Sequence, residues 1–285
     1  MYIRFKSTGL TILFILVIWQ NMFSGQRLRY QLEKGKTYSY SANVVGVNEA
    51  YLADIDYSIE VNDAKEEVYT LTIVFQKWTM KATIAIYKIN NWLAGTHDST
   101  IVMKEYIGKR IKVVMTERGK ILSTVPIDTM VTSDIFTIGN IDRASTPINF
   151  LKRLFIEFPE KEMAMYDSWK ENIPDTTTIG SLNMVREPNI KYTVAGTETR
   201  NGFDCWKITF RGASTSEGIG TQNGYERTRD ETEIASGNAC FVPAKGIFVF
   251  FEHFEDWELK INDTKPEKIS VRMANKTSTT VSFVK

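Results

Sequence analysis

Apolar and polar residues alternate with a period of two along most of the chain, which is the pattern of strands with one buried face. The alternation begins after residue 25 and leaves little room for helical spacing. In the first half it predicts strands at residues 28–33, 36–47, 50–61, 67–89, 110–116 and 121–125. In the second half it predicts strands at residues 175–185, 190–198, 203–212, 225–234, 239–242, 246–261 and 268–283. The sequence therefore predicts a mainly β fold, built as a long antiparallel curved sheet or a half-open β-barrel.

Short turn signals separate the predicted strands. Lys34-Gly35 and Asn62-Asp63 consist of residues that favour turns or their flanks. Glu117-Arg118-Gly119-Lys120 supplies a glycine for the positive φ of a tight hairpin. Asn201-Gly202 is the dipeptide favoured in type I′ hairpins. These signals predict antiparallel connections between neighbours in sequence.

Three polar stretches interrupt the alternation or weaken it. Gly95–Ser99, which contains His97, and the Ser-, Thr- and Gly-rich stretch Gly212–Gly224 are predicted to be loops. Residues 225–233 alternate glutamate with arginine. We interpret them as a solvated edge strand with cross-strand ion pairs.

One segment in the middle of the chain has helical spacing. Ala144-Ser145-Thr146-Pro147 offers a capping residue before a proline at the first helical position. Ile148, Leu151, Leu154 and Phe155 then recur at helical spacing, and Pro159 should end the helix. A shorter helix is suggested near residues 128–136. The prediction is a helical insert at about 127–158 within a single β-rich domain of residues 26–285.

The first 25 residues predict a signal peptide. Arg4 and Lys6 precede the apolar run Leu10–Trp19, and small residues follow at Ser24-Gly25. The run is shorter than the roughly 20 residues that span a bilayer, so a permanent membrane span is not expected. We expect an exported protein, periplasmic or extracellular after cleavage; an uncleaved anchor is the alternative.

Composition and charge narrow the class. The 285 residues are 43% hydrophobic and 12% aromatic, which is ordinary for a packed globular protein. The formal net charge of +1 gives no electrostatic case for nucleic acid. One domain of this size has a sufficient core without cross-links or cofactors.

The two cysteines, Cys205 and Cys240, allow one intramolecular disulfide, which an oxidising compartment would preserve. Cys205 alternates with Lys207 and Thr209, whereas Trp206 lies on the apolar face of the same strand. A bridge between the cysteines and two free thiols both remain open.

Familiar catalytic chemistry is nearly excluded. His97 and His253 are the only histidines, so a multi-histidine metal site or a Ser-His-Asp triad has almost no material. Gly-x-Ser-x-Gly, His-Glu-x-x-His and phosphate-binding loop spacings are absent from the sequence. We expect neither enzymatic activity nor a cofactor or metal.

Aromatic residues on the strands give the positive hint. Phe251, His253, Glu255 and Trp257 share one face of a predicted strand, which places a polar pair in an apolar stripe. Trp206 and Phe210 lie on another strand and complete the candidate ligand-binding set. Two alternatives stand against it: His253 and Glu255 lie at an exposed bend, or the aromatic residues simply pack a β core.

Three stretches then resemble a known family. They are Leu28–Tyr38, Phe158–Glu162 with Asp167–Trp169, and Val194–Ile208. In order, they resemble the "kGdkY", "fPek…GDsW" and "E-x-x-nG-x-x-c-x-k-I" motifs of exported bacterial proteins of unknown function. Where the central motif usually has glycine before Asp-Ser-Trp, this chain has Tyr166, which puts the local turn in doubt.

At the level of fold, the plan of long strands with central helices is similar to the LolA-type lipoprotein carriers, whose unclosed β-barrel holds acyl chains. The similarity implies an exported, non-enzymatic protein that binds a lipid or another apolar ligand on a concave face. Fold alone does not establish function. The alternative hypotheses are an envelope interaction or scaffolding module that binds an envelope protein, and thirdly an unrecognised hydrolase.

Overall fold

Thirteen strands make up most of the part of the chain that the computed structural model describes, which is residues 25–46, 51–86, 95–102, 104, 106–128, 150–151, 154–171, 174–179, 182–222, 225–263 and 269–284. The predicted signal peptide, apart from Gly25, lies outside these residues. The strands are β1 (Thr37–Gly46), β2 (Tyr51–Lys65), β3 (Val68–Ile86), β4 (Gly95–Val102), β5 (Arg110–Thr116), β6 (Ile121–Pro126), β7 (Ser168–Glu171), β8 (Asp175–Ile179), β9 (Leu182–Arg200), β10 (Phe203–Gln222), β11 (Tyr225–Val242), β12 (Ile247–Asp263) and β13 (Ile269–Phe283).

All the strands belong to one antiparallel sheet. Its order is β6-β5-β3-β2-β1-β13-β12-β11-β10-β9-β7, with β4 paired to β3 and β8 paired to β9 off this path. Among the described residues β6 and β7 form no ladder with each other, so the curved sheet is unclosed. The predicted mainly β fold with a long antiparallel curved sheet is confirmed.

Two meanders make up the sheet and meet at its centre. Strands β1 to β6 form one side and β7 to β13 the other, and β1 pairs with β13 from Tyr40↔Phe283 to Gly46↔Thr277. The aromatic pair at the start of this ladder, Tyr40 and Phe283, packs edge to face with ring centroids 5.5 Å apart. Phe203 of β10 contacts Phe283 as well, at 6.0 Å.

The segment Gly25–Lys34, here called the strap, runs across one end of the curved sheet and bonds to turns there. Gln26 exchanges two backbone hydrogen bonds with Met163, at 2.8 and 2.9 Å. The Tyr30 amide donates to the Glu117 carbonyl in the β5–β6 turn, and the Gln31 amide donates to the Gly246 carbonyl in the β11–β12 turn. The strap thus ties together turns from both halves of the sheet.

The aromatic core lies directly beneath the strap. The Tyr30 ring contacts four phenylalanines at centroid distances of 5.5 to 6.0 Å: Phe155, Phe158, Phe241 and Phe248. Its hydroxyl accepts a hydrogen bond from the Ile156 amide at 3.1 Å. Burial of this hydroxyl without a partner would cost free energy, so the bond to Ile156 fixes segment 154–158 against the strap.

The structure does not support the predicted helical insert at about 127–158, of which only two described residues are helical. Residues 129–149 lie outside the described part, Phe150 and Leu151 are helical, and residues 154–158 are not. In this last stretch the backbone bonds to groups elsewhere in the chain: the Ile156 amide donates to Tyr30 and the Phe158 amide to the Arg118 carbonyl. These tertiary partners replace the hydrogen bonds that a helix would supply.

Several predicted turns and loops were placed wrongly. Strand β2 continues through Asn62-Asp63, with a bulge at that point, and turns at Glu66-Glu67. Gly95–Ser99 belongs to β4, where His97 pairs with Ile84, and Gly212–Gln222 belongs to β10. Strands β2 and β10 are paired on both sides, and β4 is paired along β3. This backbone pairing keeps the polar stretches in strands although their sequences favour loops.

Other turns are confirmed. Asn201 and Gly202 both have positive φ, 54° and 77°, as a type I′ hairpin requires, and Gly119 has φ of 93°. Tyr166 also has positive φ, 71°, at the position where the resembling family has glycine. A positive φ is the backbone conformation that glycine adopts more readily than tyrosine.

No helix among the described residues is long and apolar enough to cross a membrane.

Candidate functional site

The face of the sheet beneath the strap, here called the inner face, changes from apolar to polar along the strands. The sheet register places Ile208, Ala239, Phe251 and Val281 side by side on β10 to β13. Two residues further from the strap, the same four strands present Phe210, Gly237, His253 and Thr279. Glu255 and Glu233 follow beyond them. The boundary between the two regions therefore falls between Phe251 and His253.

An apolar cavity lies on the strap side of this boundary. The space between its lining atoms is about 510 Å³ when open solvent is included, and the enclosed part is only a small fraction of this volume. Both halves of the sheet, the strap and segment 154–158 contribute to its wall. The lining residues are Tyr30, Leu32, Tyr38, Tyr40, Tyr57, Ile59, Leu154, Phe155, Ile247, Phe248, Phe250, Phe251 and Val281.

The cavity is uncharged. None of the described residues that line it has an ionisable side chain other than tyrosine. Burial raises the pKa of Tyr30, Tyr40 and Tyr57 above the ordinary value of a phenol, so these hydroxyls stay protonated at neutral pH. A wall of this kind favours aliphatic or aromatic groups over polar ones.

The predicted stripe on β12 faces the interior. Phe251, His253, Glu255 and Trp257 are only 6%, 8%, 4% and 3% exposed. His253 and Glu255 therefore do not lie at an exposed bend. Of the four residues, only Phe251 lines the cavity, and the other three lie on the polar side of the boundary or beyond it.

The two predicted residues of β10 differ in their relation to the site. Phe210 stacks on Phe251 with centroids 5.6 Å apart and meets His253 edge-on at 5.4 Å. Trp206 lies on the same face of the strand, nearer to the strap, half-buried against the core. The structure therefore brings Phe210 to the boundary and leaves Trp206 in the packed end.

A cluster of polar side chains occupies the inner face beyond the boundary. His253 Nδ1 lies 3.7 Å from Glu255 Oε1, and Thr277 donates a hydrogen bond to Glu255 Oε2 at 3.2 Å. On β11, Glu233 accepts a hydrogen bond from Ser214 at 3.4 Å. The ligand atoms of Glu233, His253 and Glu255 all lie within 4.8 Å of one another.

Glu233 and its neighbour Glu231 were missed because the sequence predicted β11 to be a solvated edge strand. That prediction is wrong: β11 lies between β10 and β12, and Glu231 and Glu233 are 7% and 6% exposed. The alternation along β11 could have predicted that both glutamates are buried, since they share a strand face with the buried Ala235 and Ala239.

A second cluster of polar groups contains both cysteines, which are buried. Cys240 donates a hydrogen bond to Glu198 Oε1 at 2.7 Å, and Cys205 donates to the Glu198 carbonyl at 3.2 Å. Both thiols are buried and free in the structure, and burial raises the pKa of Cys240 well above its ordinary value. The Sγ atoms of the two cysteines lie within 4.8 Å of each other, so a disulfide remains a prediction.

Comparison with known proteins adds no relative. No family model matches the chain, and no curated protein matches it significantly. The three stretches that carry the family resemblance meet in the fold: the Tyr30 ring contacts Phe158, and the Val194 amide donates to the Asp167 carbonyl at 2.9 Å. The family assignment stays a prediction.

Proposed function

We propose that this protein is an exported, non-enzymatic binding protein that holds a lipid acyl chain or a similar apolar group in the inner-face cavity. The observation that carries the proposal is the cavity itself, which is lined by aliphatic and aromatic side chains and lies on one face of an unclosed sheet. Removal of an apolar chain from water contributes roughly 0.8 kcal/mol for each buried CH₂ group. An uncharged wall offers this gain without a desolvation cost.

As the LolA-like part of this function, we propose a route by which the ligand enters the cavity. Leu154 and Phe155 line the cavity from a segment outside the sheet, and Phe155 contacts Tyr30 of the strap at 5.9 Å. A ligand longer than the cavity would displace this segment by breaking its hydrogen bonds to Tyr30 and Arg118, whereas displacement of a strand would break a continuous ladder. Segment 154–158 then acts as the cover of the site.

A fluorescent fatty acid titrated into the full-length mature protein, purified without detergent, tests the proposal. The expected result is saturable binding of one equivalent. Val281→Phe places a ring where Val281 meets Phe251 and should weaken binding at least tenfold. Phe254→Ala removes an apolar side chain that is 45% exposed on the outer face of β12 and should leave binding unchanged.

Two results would count against cavity binding. One is the absence of saturable binding together with no co-purified lipid in native mass spectrometry. The other is equal binding by Val281→Phe, with loss in Phe254→Ala, which would place the ligand on the outer surface. Circular dichroism of each variant confirms that the sheet is formed.

One observation favours a second function, that of an envelope interaction module. Among the strands that the structure describes, β6 ends the sheet order on its side, and its Leu122 and Val125 are 52% and 53% exposed. An edge strand with apolar side chains is suited to pairing with a strand of another protein. A photo-crosslinking residue at position 122 should capture a partner in intact cells; capture of self-contacts alone would argue against this function.

A further inference from the structure

The polar cluster on the inner face has the composition of a metal site. Glu233, His253 and Glu255 contribute two carboxylates and one imidazole, and all three are more than nine-tenths buried. Their ligand atoms lie within 4.8 Å of one another. Nitrogen and oxygen donors of this kind suit zinc, manganese or iron(II) in proteins.

The strand geometry explains why the three donors converge. His253 and Glu255 are two residues apart on β12, so both side chains point to the inner face. Glu255 pairs with Ala235, and Glu233 is two residues further along β11, which makes the two glutamates diagonal neighbours on that face. Ala235 is small enough to leave space between them.

The separations come close to those of a bound ion. With bonds of 2.0–2.2 Å, two ligands of a tetrahedral zinc ion lie about 3.4 Å apart. His253 Nδ1 and Glu255 Oε1 are already 3.7 Å apart. The remaining donor separations are no more than 4.8 Å, so binding of an ion would require the three side chains to move closer together.

Neighbouring groups orient the donors. Thr277 holds Glu255 Oε2 at 3.2 Å, and Ser214 holds Glu233 Oε2 at 3.4 Å. Phe210 packs edge-on against the imidazole of His253. Outer contacts of this type fix the rotamers of metal ligands and are a usual feature of metal sites.

Carboxylates make up most of the cluster. Glu233 and Glu255 are both buried there, and Arg229 lies 3.6 Å from Glu231, the next glutamate along β11. A cation bound among these carboxylates would interact favourably with their charges.

We infer that Glu233, His253 and Glu255 form a divalent-cation site, with zinc as the best-fitting ion and a fourth position left for water or a ligand atom. The inference does not depend on the proposed apolar ligand, because the donors lie outside the cavity lining. It also differs from the cysteine cluster, whose thiolates would select softer ions.

The test begins with the wild-type full-length mature protein stripped of metal by a chelator. Titration with Zn²⁺ should show one bound equivalent, and the bound ion should raise Tm. Glu255→Gln, Glu233→Gln and His253→Ala should each weaken binding at least tenfold. Glu252→Gln changes a carboxylate on the outer face of the same strand, where it accepts from Asn238 at 2.8 Å, and should bind as the wild type does.

Co²⁺ distinguishes this site from the cysteine cluster. The expected absorption spectrum has ligand-field bands without thiolate charge transfer, and it should be unchanged in Cys205→Ser and Cys240→Ser. Stripped wild-type protein that binds no stoichiometric Zn²⁺ and gains no thermal stability would overturn the inference. So would a thiolate spectrum that disappears in the cysteine variants. Because the wild-type measurements need no substitution, a variant that fails to fold does not leave the question open.

Discussion

Phe210 and His253 meet edge-on across an intervening strand, with ring centroids 5.4 Å apart and ring planes at 62°. Contact across a strand is allowed because Gly237 of β11 lies between them in the ladder. A Cβ atom at Gly237 would come within 2.5 Å of Phe210 Cζ and 2.0 Å of the Glu252 carbonyl oxygen. The missing side chain thus lets the aromatic ring reach the boundary of the cavity.

Gly237→Ala should therefore destabilise the protein by about 1–3 kcal/mol, the usual cost of overpacking. It should also weaken fatty-acid binding, because Phe210 stacks on Phe251 of the cavity wall. Chemical denaturation and the fatty-acid titration measure the two effects. Ser236→Ala, on the opposite face of the same strand, is the control and should change stability by less than about 0.5 kcal/mol. Equal stability of Gly237→Ala and wild type would contradict this close packing, because both the Phe210 ring and the β12 backbone at Glu252 would have to move to accept the methyl group.

Tyr166→Gly should stabilise the protein by about 0.5–1 kcal/mol, since a residue with a Cβ atom is strained at positive φ. The Tyr166 side chain is 73% exposed, so few contacts are lost with it. Thermal denaturation should show a Tm higher by about 1–4 °C. Asn201→Gly provides the contrast, because asparagine tolerates this conformation and Asn201 also donates to the Val249 carbonyl at 3.1 Å. A gain at position 201 and none at position 166 would contradict the strain argument.

Stability should fall at acid pH through two exposed carboxylates. Hydrogen bonds from Lys34 and Lys65 lower the pKa of Asp63 from 3.8 to about 2, and a hydrogen bond from Arg110 does the same for Asp128. A pKa that is lower in the folded state stabilises the fold above the unfolded value, and this contribution is lost as the pH falls through the folded value. The loss should thus occur as the pH falls from 3.8 to about 2.

The double variant Asp63→Asn/Asp128→Asn measures this contribution. It should be less stable than the wild type at pH 7, and the difference should shrink as the pH falls from 3.8 and vanish only below about 2, where the folded wild-type carboxylates become protonated. Denaturation curves at several pH values give the comparison. A difference that stays constant with pH would assign the effect to packing or hydrogen bonding of the neutral groups instead.

The thiols of Cys205 and Cys240 should be protected in the folded protein. Both are buried, and burial together with the hydrogen bond to Glu198 raises the pKa of Cys240, which lowers the thiolate fraction at neutral pH. A thiol reagent should therefore react slowly with the native protein and rapidly after unfolding. Cys205→Ser isolates the reactivity of Cys240.

Intact mass separates protection from oxidation. A disulfide lowers the mass of the untreated protein by two hydrogens and leaves no thiol to titrate after unfolding. Rapid reaction of both thiols in the native state would contradict the burial described above.

The sequence predicted most strands correctly because alternation is a local property. It failed where polar residues continue a strand on its buried side. Ser214 and Ser216 are buried and belong to the inner face of β10, yet the run that contains them was predicted to be a loop. The two serines lie beside Glu233 and Glu231 of β11, so this part of the inner face is buried but polar. The sequence of β10 alone does not show which residues of β11 will lie beside it.

The candidate site was only partly predictable for the same reason. His253 and Glu255 lie on one strand, so their shared face followed from the spacing. Glu233 joins them only through the register of β11 against β12, which pairs it with Trp257. That register depends on the turn at Pro243–Gly246 and on a bulge beside Cys240, and the bulge leaves no local signal in the sequence.

The ladder between β1 and β13 sets the order in which the protein can be completed. Strand β1 gains its second neighbour only when β13 has been synthesised, because Tyr40 pairs with Phe283, more than two hundred positions later in the chain. Each meander can form from local hairpins during synthesis, but the two remain separate until β13 is made. Until then β1 and β12 each expose an unpaired edge, so the incomplete chain consists of two half-sheets whose edges can pair with other strands.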